Sequence, residues 1–334
     1  MSSRQTWEKS SHLENKMMKV FDNITGIAGD VEAVITSYNQ GEMLREAVQS
    51  VYGQTVRPAG ITIVDDGSAD EESVRILREI EADTEAPVPV QVIWQENRGV
   101  SAARNAGIRN TSSPLVLVLD GDDRLRPTYI EKVRRMLCES SRMVAASSWM
   151  QTFGALNAAV CPCGGDVAAF LSRNCCPATH IMRRSAWEMC GGYDESMRSG
   201  FEDWEFFLSM LETEPDTSIG IVEEMLIEYR TAPVSSNIKS MDKRLEIMRF
   251  IIEKHARTYQ KYIAEALLGI EAVSMGRLFK WENEILYALD REGTISSGAE
   301  EFLKNPTYGD GGMAAAVRIV SQSDIGKDRG NEKK

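Results

Sequence analysis

The first part of the chain alternates short apolar runs with stretches in which apolar residues recur at helical spacing. The runs have the length and the β-branched content of buried strands, and they cover residues 31–36, 61–64, 90–94 and 115–119. Between them, apolar residues return every three or four positions, which is typical of helices that bury one face. Strands that alternate with helices in this way predict a doubly wound α/β domain with a mostly parallel sheet.

The pattern changes on both sides of this domain. Residues 1–29 carry no recognisable site, and residues 323–334 form a polar tail that we predict to be disordered. Between the α/β domain and the C-terminal tail, the spacing of apolar residues predicts helices. Their two apolar stripes are Leu245, Met248 and Ile252, and then Leu278, Trp281, Ile285 and Leu289. The predicted organisation is an N-terminal extension (1–29), an α/β domain (30–238), a helical C-terminal region (239–322) and the tail (323–334).

The fourth apolar run leads directly into three acids, Asp120, Asp122 and Asp123. In open α/β sheets, ligands bind at the carboxyl ends of the strands, which is where these acids stand. Carboxylates brought together repel one another and need a compensating cation, and oxygen ligands suit Mg²⁺ or Mn²⁺ shared with a phosphate-bearing substrate. The alternative is an acidic turn exposed to water. The second run also ends in paired acids, Asp65 and Asp66, which could equally form a turn and helix cap.

The composition and charge of the chain exclude some classes of binding partner and location. The formal charge is 38 − 50 = −12 and the pI is near 5.0, which argues against a general nucleic-acid-binding protein. No apolar stretch reaches the roughly 18 residues of a transmembrane helix, and the N-terminus lacks the apolar segment of a secretory signal. We therefore expect a cytoplasmic protein without a transmembrane segment.

The sequence lacks the common glycine-rich motifs for binding phosphate and the common cysteine spacing for binding zinc. The chain contains neither G-x-G-x-x-G nor G-x-x-x-x-G-K-[ST], so phosphates would have to be held by a metal ion and by side chains. The cysteines at 161, 163, 175 and 176 do not follow the C-x₂₋₄-C spacing of common zinc sites. We expect reduced thiols there rather than a structural metal.

Four short motifs appear in an order that fits the strand–helix layout. They are Ile35-Thr36-Ser37-Tyr38-Asn39, Val64-Asp65-Asp66-Gly67-Ser68, Asn97-Arg98-Gly99 followed by Ala103-Arg104-Asn105-Ala106-Gly107, and Leu119-Asp120-Gly121-Asp122-Asp123. Together they resemble the family 2 glycosyltransferases. The resemblance implies a GT-A fold and an inverting enzyme that uses nucleotide-sugar donors, with a nucleotide-binding half (30–127) and an acceptor half (128–238).

The resemblance also implies which residues bind the donor. The turn after the first strand and Asp66 would recognise the base and ribose. Asp120 and Asp122, with Asp123 as the alternative ligand, would bind Mg²⁺ or Mn²⁺ at the donor diphosphate. The full predicted donor-binding set is Thr36, Tyr38, Asn39, Asp66, Arg104, Asp120 and Arg230.

The segment Gly200-Phe201-Glu202-Asp203-Trp204 is similar to the acidic motif that supplies the family's catalytic base. Asp203 would deprotonate the acceptor hydroxyl, and Glu202 is the competing candidate. Tyr229-Arg230 is similar to the segment that returns to the donor phosphates, but Ala232 stands where many relatives have His. Arg230, or Ser235 and Ser236, would then have to bind the phosphates.

The sequence therefore predicts a metal-dependent inverting glycosyltransferase of the hexosyltransferase type, active in polysaccharide, glycolipid or other glycoconjugate biosynthesis. A UDP-sugar is the first expected donor, a hydroxyl group is the acceptor, and no nucleic acid takes part. Two alternatives stay open: a catalytically silent scaffold that binds sugar nucleotides, which Ala232 favours, and a nucleotidyltransferase, although residues 36–41 lack the basic residues of a triphosphate loop. Peripheral contact with the inner face of the membrane also stays open.

Overall fold

The computed structural model of the protein describes residues 27–232, 240–292, 296–306 and 311–322. The chain divides into two compact units, Met1–Tyr262 and Ile263–Lys334. Three sequence predictions lie outside the described residues: the N-terminal extension up to residue 26, the phosphate contacts of Ser235 and Ser236, and the tail from residue 323.

The first unit consists of strands joined mostly by short helices. Its strands are β1 (Ile27–Ala28), β2 (Val31–Ser37), β3 (Arg57–Pro58), β4 (Ile61–Asp65), β5 (Val90–Trp94), β6 (Leu115–Asp120), β7 (Arg124–Leu125), β8 (Met143–Gly154), β9 (Ala159–Val160), β10 (His180–Arg183) and β11 (Ser218–Thr231). Its helices are α1 (Glu42–Tyr52), α2 (Glu71–Glu81), α3 (Val100–Arg109), α4 (Tyr129–Glu139), α5 (Val167–Phe170), α6 (Arg184–Cys190), α7 (Glu202–Leu211), α8 (Arg244–Lys254) and α9 (Ala256–Lys261). The predicted strands correspond to β2, β4, β5 and β6, each within one residue at either end.

Within the described residues, nine of the strands form one sheet in the order β5-β4-β2-β6-β10-β8-β11-β7, with β9 paired to β8. Strands β2, β4, β5 and β6 are parallel, as are β8 and β11, whereas β10 is antiparallel to both of its neighbours. The mixed sheet with helical connections confirms the predicted α/β fold.

Strand β6 lies in the middle of the core, between β2 and β10. Every side chain from Leu115 to Leu119 is at most 3% exposed, so the apolar run is buried on both faces as predicted. Helix α1 buries Leu44, Val48 and Val51 against the same core. This packing holds the carboxyl end of β6, with its acids, in a fixed position at the rim of the sheet.

The apolar stripe predicted for α8 was wrong. Leu245 is 85% exposed and Ile252 is 41% exposed, whereas Ile247 and Ile251 are buried. The buried face continues to His255, one turn further on, whose ring bonds to Glu205 of α7. Apolar residues recur at helical spacing on both faces, so their pattern alone did not show that the face leading to His255 is the buried one.

The second unit is helical. Its helices are α10 (Ile263–Glu292), α11 (Ser297–Lys304) and α12 (Gly312–Gln322). Ile285, predicted to be buried, packs in a core with Phe302 and Ile319, and the Trp281 ring lies against the Phe302 ring at a tilt of 57°, with ring centroids 4.4 Å apart. Across the described parts of the chain, no helix has both the length and the apolar character needed to cross a membrane.

Candidate active site

Polar side chains gather where β2, β4 and β6 end. The strand register pairs Thr36 with Asp120, and the Thr36 hydroxyl donates to Asp120 Oδ1 at 3.2 Å. Asp66 follows β4 directly, and its N–H donates to the Ser37 carbonyl at 2.9 Å. The carboxyl edge of a parallel sheet is where open α/β proteins bind ligands, and the structure brings the predicted Thr36, Asp66 and Asp120 to that edge.

The acids after β6 are crowded, and the crowding depends on Gly121. Its N–H donates to the Thr36 carbonyl at 2.9 Å, and a Cβ at this position would lie only 2.7 Å from that oxygen. Burial, and then the charge of Asp120, raises the pKa of Asp122 to about 6. Burial and the charges of Asp122 and Asp120 also raise the pKa of Asp123 well above its usual value. The carboxylates therefore repel one another, as the sequence predicts.

Asp122 is the acid of this cluster that best fits a metal ion. Asp120 is bound by Arg104, and the buried Asp123 accepts the N–H of Arg230 at 2.8 Å, whereas Asp122 remains partly exposed. Among the residues that the structure describes, no three His, Cys, Asp or Glu side chains are arranged to hold a metal by themselves. A divalent cation at these carboxylates stays a prediction, and it would have to take most of its ligands from a bound substrate and water.

Arg104 of α3 is buried between two acids. Its side chain is 2% exposed, and its two terminal nitrogens donate to Asp120 at 2.8 Å and to Glu202 at 2.9 Å. Burial opposes its charge, but Asp120 and Glu202 hold the pKa of Arg104 well above its usual value. Arg104 therefore joins the end of β6 to the start of α7.

The predicted base-recognition residues are used largely to shape loops. Both oxygens of Asp66 accept backbone N–H groups, from Arg98 and from Gly99, each at 2.8 Å. Asn39 Oδ1 accepts the N–H of Ala69 at 2.8 Å. Tyr38 is 50% exposed at the same edge. Its ring is accessible to a ligand, whereas contact of Asp66 and Asn39 with a donor stays a prediction.

Arg230, predicted to contact phosphate, lies beside the acid cluster but is already engaged. Its Nε donates to the Asp122 carbonyl at 2.9 Å and its Nη2 to Glu46 at 2.6 Å. The guanidinium also lies over the Phe153 ring, 4.5 Å from the centroid. A phosphate bound by Arg230 would have to share it with Glu46.

The first turn of α7 carries the predicted catalytic acids. Phe201, immediately before the helix, has a left-handed backbone with φ of 61°. Asp203 Oδ2 accepts from Asn174 Nδ2 at 2.9 Å, and its Oδ1 accepts the N–H of Trp204 at 2.8 Å. Burial, and then the charge of Glu202, raises the pKa of Asp203 to about 7. A carboxyl group that titrates near neutral pH can take up a proton there.

Two neighbours of the site were not predicted from the sequence. Asn174 holds Asp203 from a loop 29 residues earlier, and Glu46 meets Arg230 across 184 residues. Glu46 lies at a polar position of a helix surface and Asn174 lies in an irregular segment, so no sequence pattern marks either residue as part of a site. The cysteine pairs beside Asn174 were the only unusual sequence feature near it.

Comparison with known proteins gives consistent results. Residues 32–161 match the family described as glycosyl transferase family 2. The uncharacterized glycosyltransferase YwdF of Bacillus subtilis is 27% identical over 53% of this chain and 66% of its own length. Glycosyltransferase GlyA of Streptococcus pneumoniae is 32% identical over 36% of this chain and 16% of its own length. The chain thus spans less than two thirds of the length of these relatives.

Solved structures share the fold. Residues 1–349 of TarS from S. aureus, crystallised in complex with UDP-GlcNAc, superpose with a TM-score of 0.57. The match covers 88% of this chain and 84% of that one at 14% sequence identity. At this identity the likeness concerns the fold alone.

Proposed function

Because this chain belongs to glycosyltransferase family 2, we propose that it transfers a sugar from a nucleotide-diphosphate sugar to an acceptor hydroxyl, with inversion at the anomeric carbon. TarS, which shares the fold, was crystallised with UDP and with UDP-GlcNAc, so a uridine nucleotide is the first donor to test. The product belongs to polysaccharide, glycolipid or other glycoconjugate biosynthesis.

The state of Asp203 is the observation that carries the proposal. Its carboxyl group has a pKa near 7 and is held by hydrogen bonds to both oxygens. In the ionised form, Asp203 accepts the proton of the acceptor hydroxyl. The acceptor oxygen then bonds to the anomeric carbon while the bond to the diphosphate breaks on the opposite face. This single displacement inverts the anomeric centre.

Glu202 is assigned to a different task. Its carboxylate pairs with the buried Arg104 at 2.9 Å, and protonating it would leave a buried cation with one acid fewer. Removing one partner from a buried ion pair is strongly unfavourable. Glu202 therefore serves as the partner of Arg104, and its charge adds to the burial that raises the pKa of the neighbouring Asp203.

Donor binding is assigned to the carboxyl edge of β2, β4 and β6. The accessible ring of Tyr38 can stack on the base, as aromatic side chains do with nucleotides. Asp66 fixes the loop that contains Arg98 and Gly99, and so shapes the wall of the nucleotide pocket. Arg230 reaches the diphosphate when a phosphate oxygen competes with Glu46 for its guanidinium.

Asp122 is the proposed metal ligand, with Asp123 and Asp120 beside it. A bound Mg²⁺ or Mn²⁺ would supply positive charge to offset the charge of the diphosphate leaving group. Burial and then the charge of Asp120 raise the pKa of Asp122, which supports this assignment, because a cation would favour the ionised carboxylate and relieve the repulsion.

A thermal-shift screen tests the donor assignment. Nucleoside diphosphates and nucleotide sugars are compared with and without Mn²⁺, since a ligand at about 100 times its Kd stabilises the folded state by ~2.7 kcal/mol. We expect UDP or a UDP-sugar with Mn²⁺ to raise the Tm most, and the same sugar to be transferred to an acceptor or to water. No shift with any nucleotide would contradict the proposal. Binding without any turnover would instead indicate a silent sugar-nucleotide-binding protein.

A further inference from the structure

Residues 161–176 bring two cysteine thiols together outside the residues assigned above. Cys163 is exposed and Cys175 is buried, and the Cys163 thiol is close enough to raise the pKa of the Cys175 thiol. The Gly164 N–H donates to the Cys175 carbonyl at 2.9 Å, so the backbone holds the two residues side by side. Both thiols are free.

A guanidinium lies beside this pair. Arg173 Nη2 donates to Cys163 Sγ at 3.7 Å, and the Cys175 thiol donates to the Ala169 carbonyl at 3.4 Å. Burial raises the pKa of Cys175 to about 12, and the neighbouring Cys163 thiol adds to the rise. Cys175 is therefore a protonated thiol at neutral pH, whereas Cys163 is the accessible sulfur and faces a positive charge. An accessible sulfur beside a cation, with a second thiol in reach, is the arrangement of a redox-sensitive cysteine and its resolving partner.

The dithiol is joined to Asp203 through one residue. Asn174 lies between Arg173 and Cys175 in the chain, and its Nδ2 donates to Asp203 at 2.9 Å. Its Oδ1 accepts the Cys176 N–H at 3.2 Å, which fixes the amide group. A change in the backbone at Cys175 therefore moves the residue that supports Asp203.

We propose that Cys163 and Cys175 form an oxidisable dithiol whose disulfide, once closed, displaces Asn174 from Asp203. The oxidant is a hydroperoxide such as hydrogen peroxide. The Cys163 sulfur attacks a peroxide oxygen, the O–O bond breaks, and Cys163 becomes a sulfenic acid as one water leaves. The Cys175 sulfur then attacks the sulfenic sulfur. The S–S bond forms, the S–O bond breaks, and the departing hydroxide takes the Cys175 proton as a second water.

The balance is two thiols and one hydrogen peroxide giving one disulfide and two waters, and a thiol reductant reverses it. The formation of the disulfide between Cys163 and Cys175 does not depend on the proposed function. Only its effect on sugar transfer rests on the assignment of Asp203 as the base.

Peptide mapping by mass spectrometry tests the bond. The reduced full chain is treated with hydrogen peroxide, alkylated and digested without reductant. We expect a peptide pair joined through Cys163 and Cys175, which dithiothreitol separates. Cys163→Ser should give no such pair, whereas the matched control Cys161→Ser, at another exposed cysteine two positions away, should give it as the wild type does. No disulfide, or one that joins other cysteines, overturns the proposal.

Hydrogen–deuterium exchange tests the link to Asp203 without any donor. In the oxidised protein, the first turn of α7 should exchange about tenfold faster than in the reduced protein, since an interaction of Asp203 has been lost. Helix α2 serves as the internal control and should not change. Equal exchange of α7 in the two forms would overturn the link.

Sugar transfer adds a separate measurement. With the donor found in the thermal-shift screen, transfer should fall by about tenfold on oxidation and recover with dithiothreitol, while UDP binding is unchanged. Cys163→Ser should resist this loss. If the reduced protein transfers no sugar at all, the proposed function fails, but the mapping and exchange results still decide whether the dithiol exists and is coupled to α7.

Discussion

Sugar transfer should slow in acid, because Asp203 must be ionised to accept the acceptor's proton. Burial and the charge of Glu202 raise its pKa to about 7, so we expect kcat/KM to be half-maximal near that pH. Below it, the rate should fall about tenfold for each further unit of acidity. A carboxylate in water titrates near pH ~4, so an exposed base would give an almost flat profile over the same range.

The substitution Glu202→Gln tests whether Glu202 and Asp203 have different roles. The substitution removes the charge that raises the pKa of Asp203 and keeps an oxygen that can accept from Arg104. We expect the acidic limb to move to lower pH by on the order of one unit, which corresponds to ~1.4 kcal/mol. Asp203→Asn should instead lower transfer by ~10²–10⁴-fold at pH ~8 and remove the limb. Donor affinity should change little in either variant.

The assay is kcat/KM for sugar transfer from pH ~5 to ~9, with donor binding and circular dichroism measured at each pH. The folded protein keeps a proton on Asp203 to higher pH than the unfolded chain does, so ionisation lowers stability as pH rises from about 4 to 7. Asp203→Asn should therefore keep or raise the Tm at neutral pH. Wild-type transfer in Asp203→Asn would refute the base assignment, and an unmoved limb in Glu202→Gln would refute the electrostatic explanation.

Four further variants test other parts of the site and the fold. Asp122→Asn should abolish the response of transfer to Mn²⁺ while the Tm holds or rises, and undiminished wild-type activity in EDTA would contradict the metal assignment. Arg230→Ala should raise the donor KM and Ala232→His should be tolerated, whereas an unchanged KM would show that other groups bind the phosphates. Burial lowers the pKa of His255, but Glu205 and Glu212 raise it to about 9. The protonated ring therefore contributes its full stabilisation of the folded state below pH ~6.5, and this contribution is lost as pH rises through about 9. Urea unfolding across this range should show that loss, and His255→Gln should not.

The parallel strands and the side chains at their carboxyl ends could be predicted because their signals are local. Each strand is a short apolar run, and the acids that follow it are adjacent in sequence, so strand and site residue are found together. The run from Leu115 to Leu119 and the acids from Asp120 to Asp123 needed only the rule that parallel strands end at one edge. The structure brings Thr36, Asp66 and Asp120 to that edge.

The features that were missed depend on distant pairs. The buried face of α8 leads to His255, whose ring bonds to Glu205, 50 residues away. The spacing of apolar residues carries no information about such a buried charged pair. Asn174 contacts Asp203 from an irregular loop, where neither periodicity nor spacing says which way a side chain points. The dithiol of Cys163 and Cys175 was invisible for the same reason, since only the fold shows which cysteines lie together.

Arg104 explains why two adjacent acids on one helix take different tasks. A guanidinium as buried as this one is costly unless acids pair with it, and its partners are Asp120 at the end of β6 and Glu202 at the start of α7. Glu202 is therefore held next to Arg104. Its fixed negative charge, together with burial, raises the pKa of Asp203 toward neutrality, where a general base works best. The ion pairs of Arg104 thus connect the end of β6 to the start of α7, so changes in Arg104 would affect both parts of the candidate site together.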